Sequence, residues 1–321
     1  MKYFSMFSGI GGFEYGIERA FNEVEQRRCG QEKNSLETAL SDTNSEPNKR
    51  QSPYCVGFSE VDKYAIQIYK KHFPKHKEYG DARRIIPEEI PDFDLLVGGF
   101  PCQSFSIAGK RGGFKDTRGT LFYEIARIAS VKRPKLLLLE NVKGLLSHDK
   151  GRTFGTILAT LSDLGYILEW QVLNSKNFGV PQNRERVFII GHLGEIGGQA
   201  IFPVFGSGEA TQSHPCIDAH YYKGYSNQRK ILRTDKPDTR QERDKSNGSN
   251  SIRRRSYSDG MRIRRLTPTE CERLQGFPDN WVDGISNSQK YKCLGNAVTT
   301  NVITAIMNKL LDKPKSKEDD I

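Results

Sequence analysis

The chain has 321 residues, a formal net charge of +10 and a pI near 9.2, with 36% hydrophobic and 27% charged residues. That length supports one large core plus a smaller lobe, and no apolar run approaches the roughly 18 residues that a membrane helix needs. No secretory signal is read at the N-terminus, so the cytoplasm is the expected compartment, and six cysteines without a C-x-x-C pair argue against structural zinc and for reduced thiols.

In chain order, residues 3–7 predict a short strand, 9–12 a glycine turn and 13–21 a helix by its apolar spacing. Residues 26–52 are polar and read as an exposed insertion. A second strand is predicted over 54–58, ending at Glu60, and a helix over 65–73. The third strand, 94–97, runs into Gly98 and Gly99, and a helix follows over 122–131. The apolar strand 135–139 ends at Glu140 and Asn141. Then come a helix over 154–164 and strands over 167–173 and 186–191. Alternation of this kind predicts an α/β, doubly wound, Rossmann-like sheet. Beyond residue 192 the sequence turns basic and loses its periodicity. It recovers in a helix over 267–275, capped by Thr267, and a last helix over 300–311.

Ligands of doubly wound sheets bind beyond the carboxyl ends of the strands, where Gly9, Glu60, Gly98 and Glu140 all fall. Glycines in Phe7-Ser-Gly-Ile-Gly-Gly12 allow a ligand to approach the backbone at a helix N-terminus. Glu60 at the next strand end suits ribose hydroxyls. These two features fit S-adenosylmethionine and nicotinamide cofactors equally, and an ordinary tight turn would look the same. Cys102, in Gly98-Gly-Phe-Pro-Cys-Gln-Ser-Phe-Ser106, stands just past a strand, as a nucleophilic thiolate would; an inert buried cysteine is the alternative. Glu140 follows a buried strand, where desolvation raises a carboxyl pKa, or it belongs to a capping pair. Arg184 and Arg186 alternate along an extended segment and share one side. They suit a phosphate or carbonyl clamp, or a salt-bridged turn. Residues 223–265 hold fourteen Lys and Arg against five Asp and Glu. They suit a polyanion partner or a solvated linker.

The order F-S-G-I-G-G, E-V-D, G-D, G-G-F-P-C-Q-S-F-S, E-N-V, Q-N-R-E-R and G-N-A-V resembles the cytosine-5 DNA methyltransferases of restriction–modification systems. The resemblance spans the chain except the insertion and residues 192–261. It implies that Cys102 attacks carbon 6 of cytosine, that Glu140 protonates or hydrogen-bonds ring nitrogen 3, and that Arg184 and Arg186 orient the base. It implies S-adenosylmethionine as cofactor, held by Phe7, Gly9, Gly11, Gly12, Glu60, Val61, Asp81, Pro101, Leu121, Asn296 and Val298. Duplex DNA is the implied partner, with the target base flipped out. Gln103, Ser104, Ser106, Lys110, Arg111, Lys115 and Arg118 are expected on a loop that closes over it.

The resemblance also implies a discontinuous catalytic domain, 1–192 plus about 284–321, and a small recognition lobe over 193–283. Arg264-Arg-Leu-Thr-Pro-Thr-Glu-Cys-Glu-Arg-Leu-Gln-Gly-Phe-Pro278 matches a block that organises that lobe, with Cys271 as packing. A monomer is expected, with a partner restriction endonuclease in the same system. A transfer-RNA cytosine-5 methyltransferase and a non-catalytic DNA-binding module are the alternatives. A nicotinamide oxidoreductase is disfavoured, because it leaves Pro-Cys-Gln and Gln-x-Arg-x-Arg without a role.

Overall fold

The computed structural model describes residues 1–36, 51–101, 121–194, 200–206, 214–215 and 266–312. The elements are β1 (Lys2–Met6), α1 (Gly12–Leu36), β2 (Tyr54–Ser59), α2 (Lys63–His72), β3 (Leu95–Gly99), α3 (Leu121–Lys132), β4 (Leu136–Val142), α4 (Arg152–Asp163), β5 (Tyr166–Asn174), β6 (Gln182–Asn183), β7 (Glu185–Leu193), β8 (His214–Pro215), α5 (Pro268–Leu274), α6 (Asn287–Asn296) and α7 (Thr300–Leu311). Six strands form one sheet in the order β2-β1-β3-β4-β7-β5. The first four run parallel, while β7 is antiparallel to both β4 and β5. The expected α/β doubly wound architecture is therefore present, with an antiparallel β5–β7 pair at one edge.

Alternate strand residues feed opposite faces, as the period of two requires. Phe4, Met6, Leu96, Leu137, Leu139, Val187 and Ile189 pack with Phe122 and Ile125 of α3 and Phe154 and Ile157 of α4. Tyr3, Leu95, Val97, Leu138, Phe188 and Ile190 pack with Phe13 and Ile17 of α1 and Val302, Ile303 and Ile306 of α7. The last helix thus covers the first strand. A third cluster joins Ile10, Phe58 and α2 to Leu266, Cys271, Leu274, Phe277, Trp281, Val282 and Leu294. Residues 266–282, assigned on sequence to the small lobe, pack here on the sheet-bearing body. Residues 200–206 also return to it: Glu169 accepts from the Ile201 and Phe202 amides, and Gln171 from the Val204 amide.

Two sequence expectations need correction. The insertion was drawn from residue 26, but α1 continues to Leu36. Glu, Gln, Arg and Lys are good helix formers, and Arg27 is anchored to Asn308 and Asp312 beside α7. Residues 37–50 lie outside the described residues. The strand expected to stop at Leu139 runs through Val142, because β7 pairs with it as far as Val142 opposite Arg186. Helix α6 was not anticipated: it is polar on the outside and lacks a long apolar stripe.

Candidate active site

The extension of β4 places Glu140 inside the sheet rather than after it. Its neighbours in register are Gly99 of β3 and Phe188 of β7. A Cβ on Gly99 would stand 3.1 Å from the Glu140 carboxylate, so the glycine leaves the acid its space. Arg186 Nε lies 3.0 Å from Glu140 Oε1, with both side chains largely shielded from solvent. Burial pushes the Glu140 carboxyl above the usual carboxylate range, against the opposing pull of Arg186 and then Arg184. Desolvation thus outweighs the ion pair, which shifts the acid toward its protonated form.

Asn141 is buried beside it. Its Nδ2 donates to the Phe100 carbonyl at 2.8 Å, while its Oδ1 accepts from the Val142 amide at 2.8 Å. One side chain therefore ties the end of β4 to the Phe100-Pro101 step that leads into Cys102. Pro101 is exposed at that point. Cys102 itself lies outside the described residues, as do Gln103, Ser104, Ser106, Lys110, Arg111, Lys115, Arg118 and residues 216–265.

Arg184 and Arg186 flank Glu185 at the start of β7, and both bear on Glu140. Their contacts differ. Arg184 is buried, and its Nη2 donates to the carbonyls of Ala297 (2.8 Å) and Gly295 (3.3 Å). It clamps the turn between α6 and α7, whereas Arg186 is the arginine that touches the acid. The clamp joins a buried polar hub that the separate motifs do not advertise. Ser175 Oγ lies 2.9 Å from Thr299 Oγ1, which donates to Gln275 Oε1 at 2.9 Å, and Gln275 Nε2 donates to the Leu294 carbonyl at 2.9 Å. Gln275 belongs to the Leu-Gln-Gly-Phe-Pro stretch, and its place inside the matched block of residues 264–278 was the available signal.

Of the residues expected to hold a cofactor, Phe7, Gly9, Gly11, Gly12, Glu60 and Val61 lie just beyond the carboxyl ends of β1 and β2. Phe7 adopts a left-handed backbone, φ +54°, which costs a bulky residue of order 1–3 kcal/mol and marks a constrained turn. Gly9 and Gly11 follow at positive φ. The Gly9 amide donates to Glu60 Oε2 at 2.8 Å, and the Val61 and Asp62 amides donate to Glu60 Oε1 at 2.8 and 2.9 Å. Val61 is 68% exposed, an apolar side chain held open beside this carboxylate. Gly12 serves a close approach: a Cβ there would meet Val298 Cγ1 at 2.8 Å. Val298 is buried against the loop, and Asn296 is exposed at the end of α6. Leu121 opens α3, half-buried. Asp81 is paired with the Arg83 guanidinium, which holds its carboxyl below the usual range. An adenine amino group would have to share Asp81 with Arg83. An open apolar side chain, a ribose-type acid and a glycine loop at adjacent strand ends suit a nucleoside-bearing ligand. Among the described residues, no His, Cys, Asp or Glu group is placed to hold a metal ion.

The model for C-5 cytosine-specific DNA methylases matches residues 1–204 and 199–312. The type II methyltransferase M.NlaX of Neisseria lactamica is 36% identical over 96% of this chain and 96% of its own length. M.NgoBI of Neisseria gonorrhoeae is 39% identical over 95% and 91%. M1.ScrFI of Lactococcus lactis subsp. cremoris is 42% identical over 79% and 71%. Among solved structures, the Entamoeba histolytica methyltransferase EhMeth superposes with a TM-score of 0.66 at 18% identity, covering 98% of this chain and 99% of that one. The S. pombe Dnmt2 methyltransferase gives 0.65 at 18%, over 97% and 98%. The structural likenesses concern the fold. The family match over almost the entire described chain, and relatives aligned from end to end, establish that this chain belongs to the C-5 cytosine-specific DNA methylases.

Proposed function

We propose that the chain methylates carbon 5 of a flipped-out cytosine in duplex DNA, using S-adenosylmethionine and a covalent Cys102 adduct, as the modifying half of a restriction–modification system. The observation that carries this reading is the partly shielded Glu140–Arg186 pair, tied through Asn141 to the Phe100-Pro101 step that precedes Cys102.

Carbon 5 of cytosine is a poor nucleophile while the ring is aromatic. The Cys102 thiolate forms a bond to carbon 6, and the ring electrons shift toward nitrogen 3. Glu140, whose protonated form burial favours, is assigned to hold a proton at nitrogen 3 and stabilise the enamine-like adduct. Arg186 is positioned to orient the base carbonyl and to balance Glu140 as the proton moves. The bound donor supplies an electrophilic methyl group to carbon 5. Loss of the carbon 5 proton and expulsion of the Cys102 thiolate then restore the aromatic ring. Glu60 and Val61 are assigned to the donor's ribose and adenine, Asp81 to its amino group, and Phe7, Gly9, Gly11, Gly12, Pro101, Leu121, Asn296 and Val298 to the remaining walls. Gln103, Ser104, Ser106, Lys110, Arg111, Lys115 and Arg118 are assigned to DNA, as is the basic stretch 223–265.

The transfer-RNA alternative and the non-catalytic module are not favoured: the aligned relatives are named type II methyltransferases. No helix among the described residues is long and apolar enough to cross a membrane. A cytoplasmic monomer working beside a cognate endonuclease is the companion proposal. The test is incubation of the protein with S-adenosylmethionine and mixed-sequence duplex DNA, followed by nucleoside mass spectrometry. 5-Methylcytosine is expected with the natural chain and none with Cys102→Ser, which should still bind the donor. Product from Cys102→Ser would end the covalent mechanism.

A further inference from the structure

Trp281 is separated from the glycine loop by 271 residues yet is built into it. Its indole Nε1–H donates to the Ile10 carbonyl at 3.0 Å in the protein interior. Ile10 O and the Gly11 amide belong to one planar peptide unit, and the Gly11 amide donates to the Ser8 carbonyl at 3.1 Å. That peptide is therefore pinned from both sides. The pin matters because Gly11, at φ +87°, has no side chain to resist rotation of the peptide before it. Without the indole donor, the Ile10 carbonyl would be buried unpaired in its present orientation, and a flipped peptide would become competitive.

The other end of Trp281 reaches the second arm of the same site. Its carbonyl lies 2.8 Å from His72 Nε2, so that nitrogen must carry the proton. The imidazole lies flat on the indole, centroids 3.6 Å and planes 4° apart. His72 ends α2, the helix that starts directly after Glu60, Val61 and Asp62. The indole is also flanked by Tyr15 and Phe277, each with centroids 5.0 Å away. One residue thus connects the loop after β1 with the helix after β2, and the Gly9–Glu60 hydrogen bond closes the same two arms from the ligand side.

We infer that Trp281 is a positioning residue for the methyl donor: it fixes the Ile10–Gly11 peptide and holds the glycine loop against the Glu60 arm. This rests on the assignment of residues 7–12 and 60–61 to the donor. The test is calorimetric titration of S-adenosylmethionine into the full chain and into Trp281→Phe, with steady-state methylation of duplex DNA by both. The substitution keeps an aromatic ring but deletes the donor. Donor affinity should weaken about tenfold, the magnitude of one buried hydrogen bond. KM for the donor should rise in parallel, with kcat at saturating donor within about twofold and KM for DNA unchanged. Unchanged donor affinity would overturn the role of Trp281 and leave the donor site standing. Equal losses in kcat and in both KM values would overturn it too, by showing general damage. No binding by the natural chain would remove the donor-site assignment and this inference with it. If Trp281→Phe does not fold, His72→Phe decides: it keeps the stack and loses the bond to the Trp281 carbonyl. A roughly threefold loss of donor affinity alone supports the inference, and no change overturns it.

Discussion

Glu140 and Arg186 meet at 3.0 Å, so an entering cytosine has to share both groups. The acid's useful form is the protonated one, and burial favours it. Because its pKa is raised, the protonated fraction falls as pH rises through that raised value, and kcat/KM should fall with it. Glu140→Gln keeps a donor in place but supplies no proton. We expect kcat to drop by about 10²–10⁴-fold, the range of general acid catalysis, and the alkaline limb to vanish from the pH profile; an unchanged profile would contradict the assignment. Arg184 gives a contrasting case. Its Nη2 serves the Gly295 and Ala297 carbonyls, and a lysine ammonium on its shorter stem does not reach the point where that nitrogen stands. Arg184→Lys should lower stability in urea unfolding by about 2 kcal/mol, as well as slowing turnover. Full stability with lost turnover would mean that Arg184 acts on the base alone.

Helix α1 carries both a helix N-terminus beside the loop and a buried acid. Glu14 is fully buried; its Oε1 accepts from Tyr69 Oη at 3.0 Å, and its Oε2 lies without a close hydrogen-bond partner among the described residues. Burial raises its pKa from the usual 4.5 to about 7. The folded state therefore holds a proton that the unfolded chain releases between those values. Stability from this group is full below pH 4.5, falls as pH rises and levels off above about 7. Glu14→Gln should stabilise the protein at pH 8 by about 3 kcal/mol and leave it unchanged at pH 4, in denaturant titrations at the two pH values. A pH-independent effect would place the proton elsewhere. Elements with strong periodicity were readable in the sequence: α7 and the Thr267 cap of α5 fall where pattern put them. The far end of α1 was not readable, because a charged helix stabilised by contacts from α7 has the composition of a loop. The end of β4 was hidden for a related reason: pairing with β7 carries it through a Glu and an Asn that local propensity would assign to a cap.

At the scale of the molecule, the motif order in the sequence located the strand-end residues. What it could not convey was which of them touch. Glu60 binding Gly9, Asn141 holding Phe100 and Arg184 reaching Ala297 are tertiary facts that spacing does not encode. The Gln275 hub and Trp281 stand in stretches with no charge or metal chemistry to draw attention to them. The packing of α7 on α1, in one cluster with Tyr3 of β1, joins the two ends of the described chain. A chain ended after residue 299 would expose Phe13 and Ile17 and lose Val302, Ile303, Ile306 and Met307. It should accumulate as insoluble material, and soluble, donor-binding protein would contradict this architecture. The contact of Val298 with Gly12 carries a consequence for synthesis. Gly12 and the Val298 side chain that backs it are made near opposite ends of the described chain. The strands are all synthesised before residue 298, so we expect a chain interrupted between the last strand and Val298 to hold its sheet sequence and lack methylating activity.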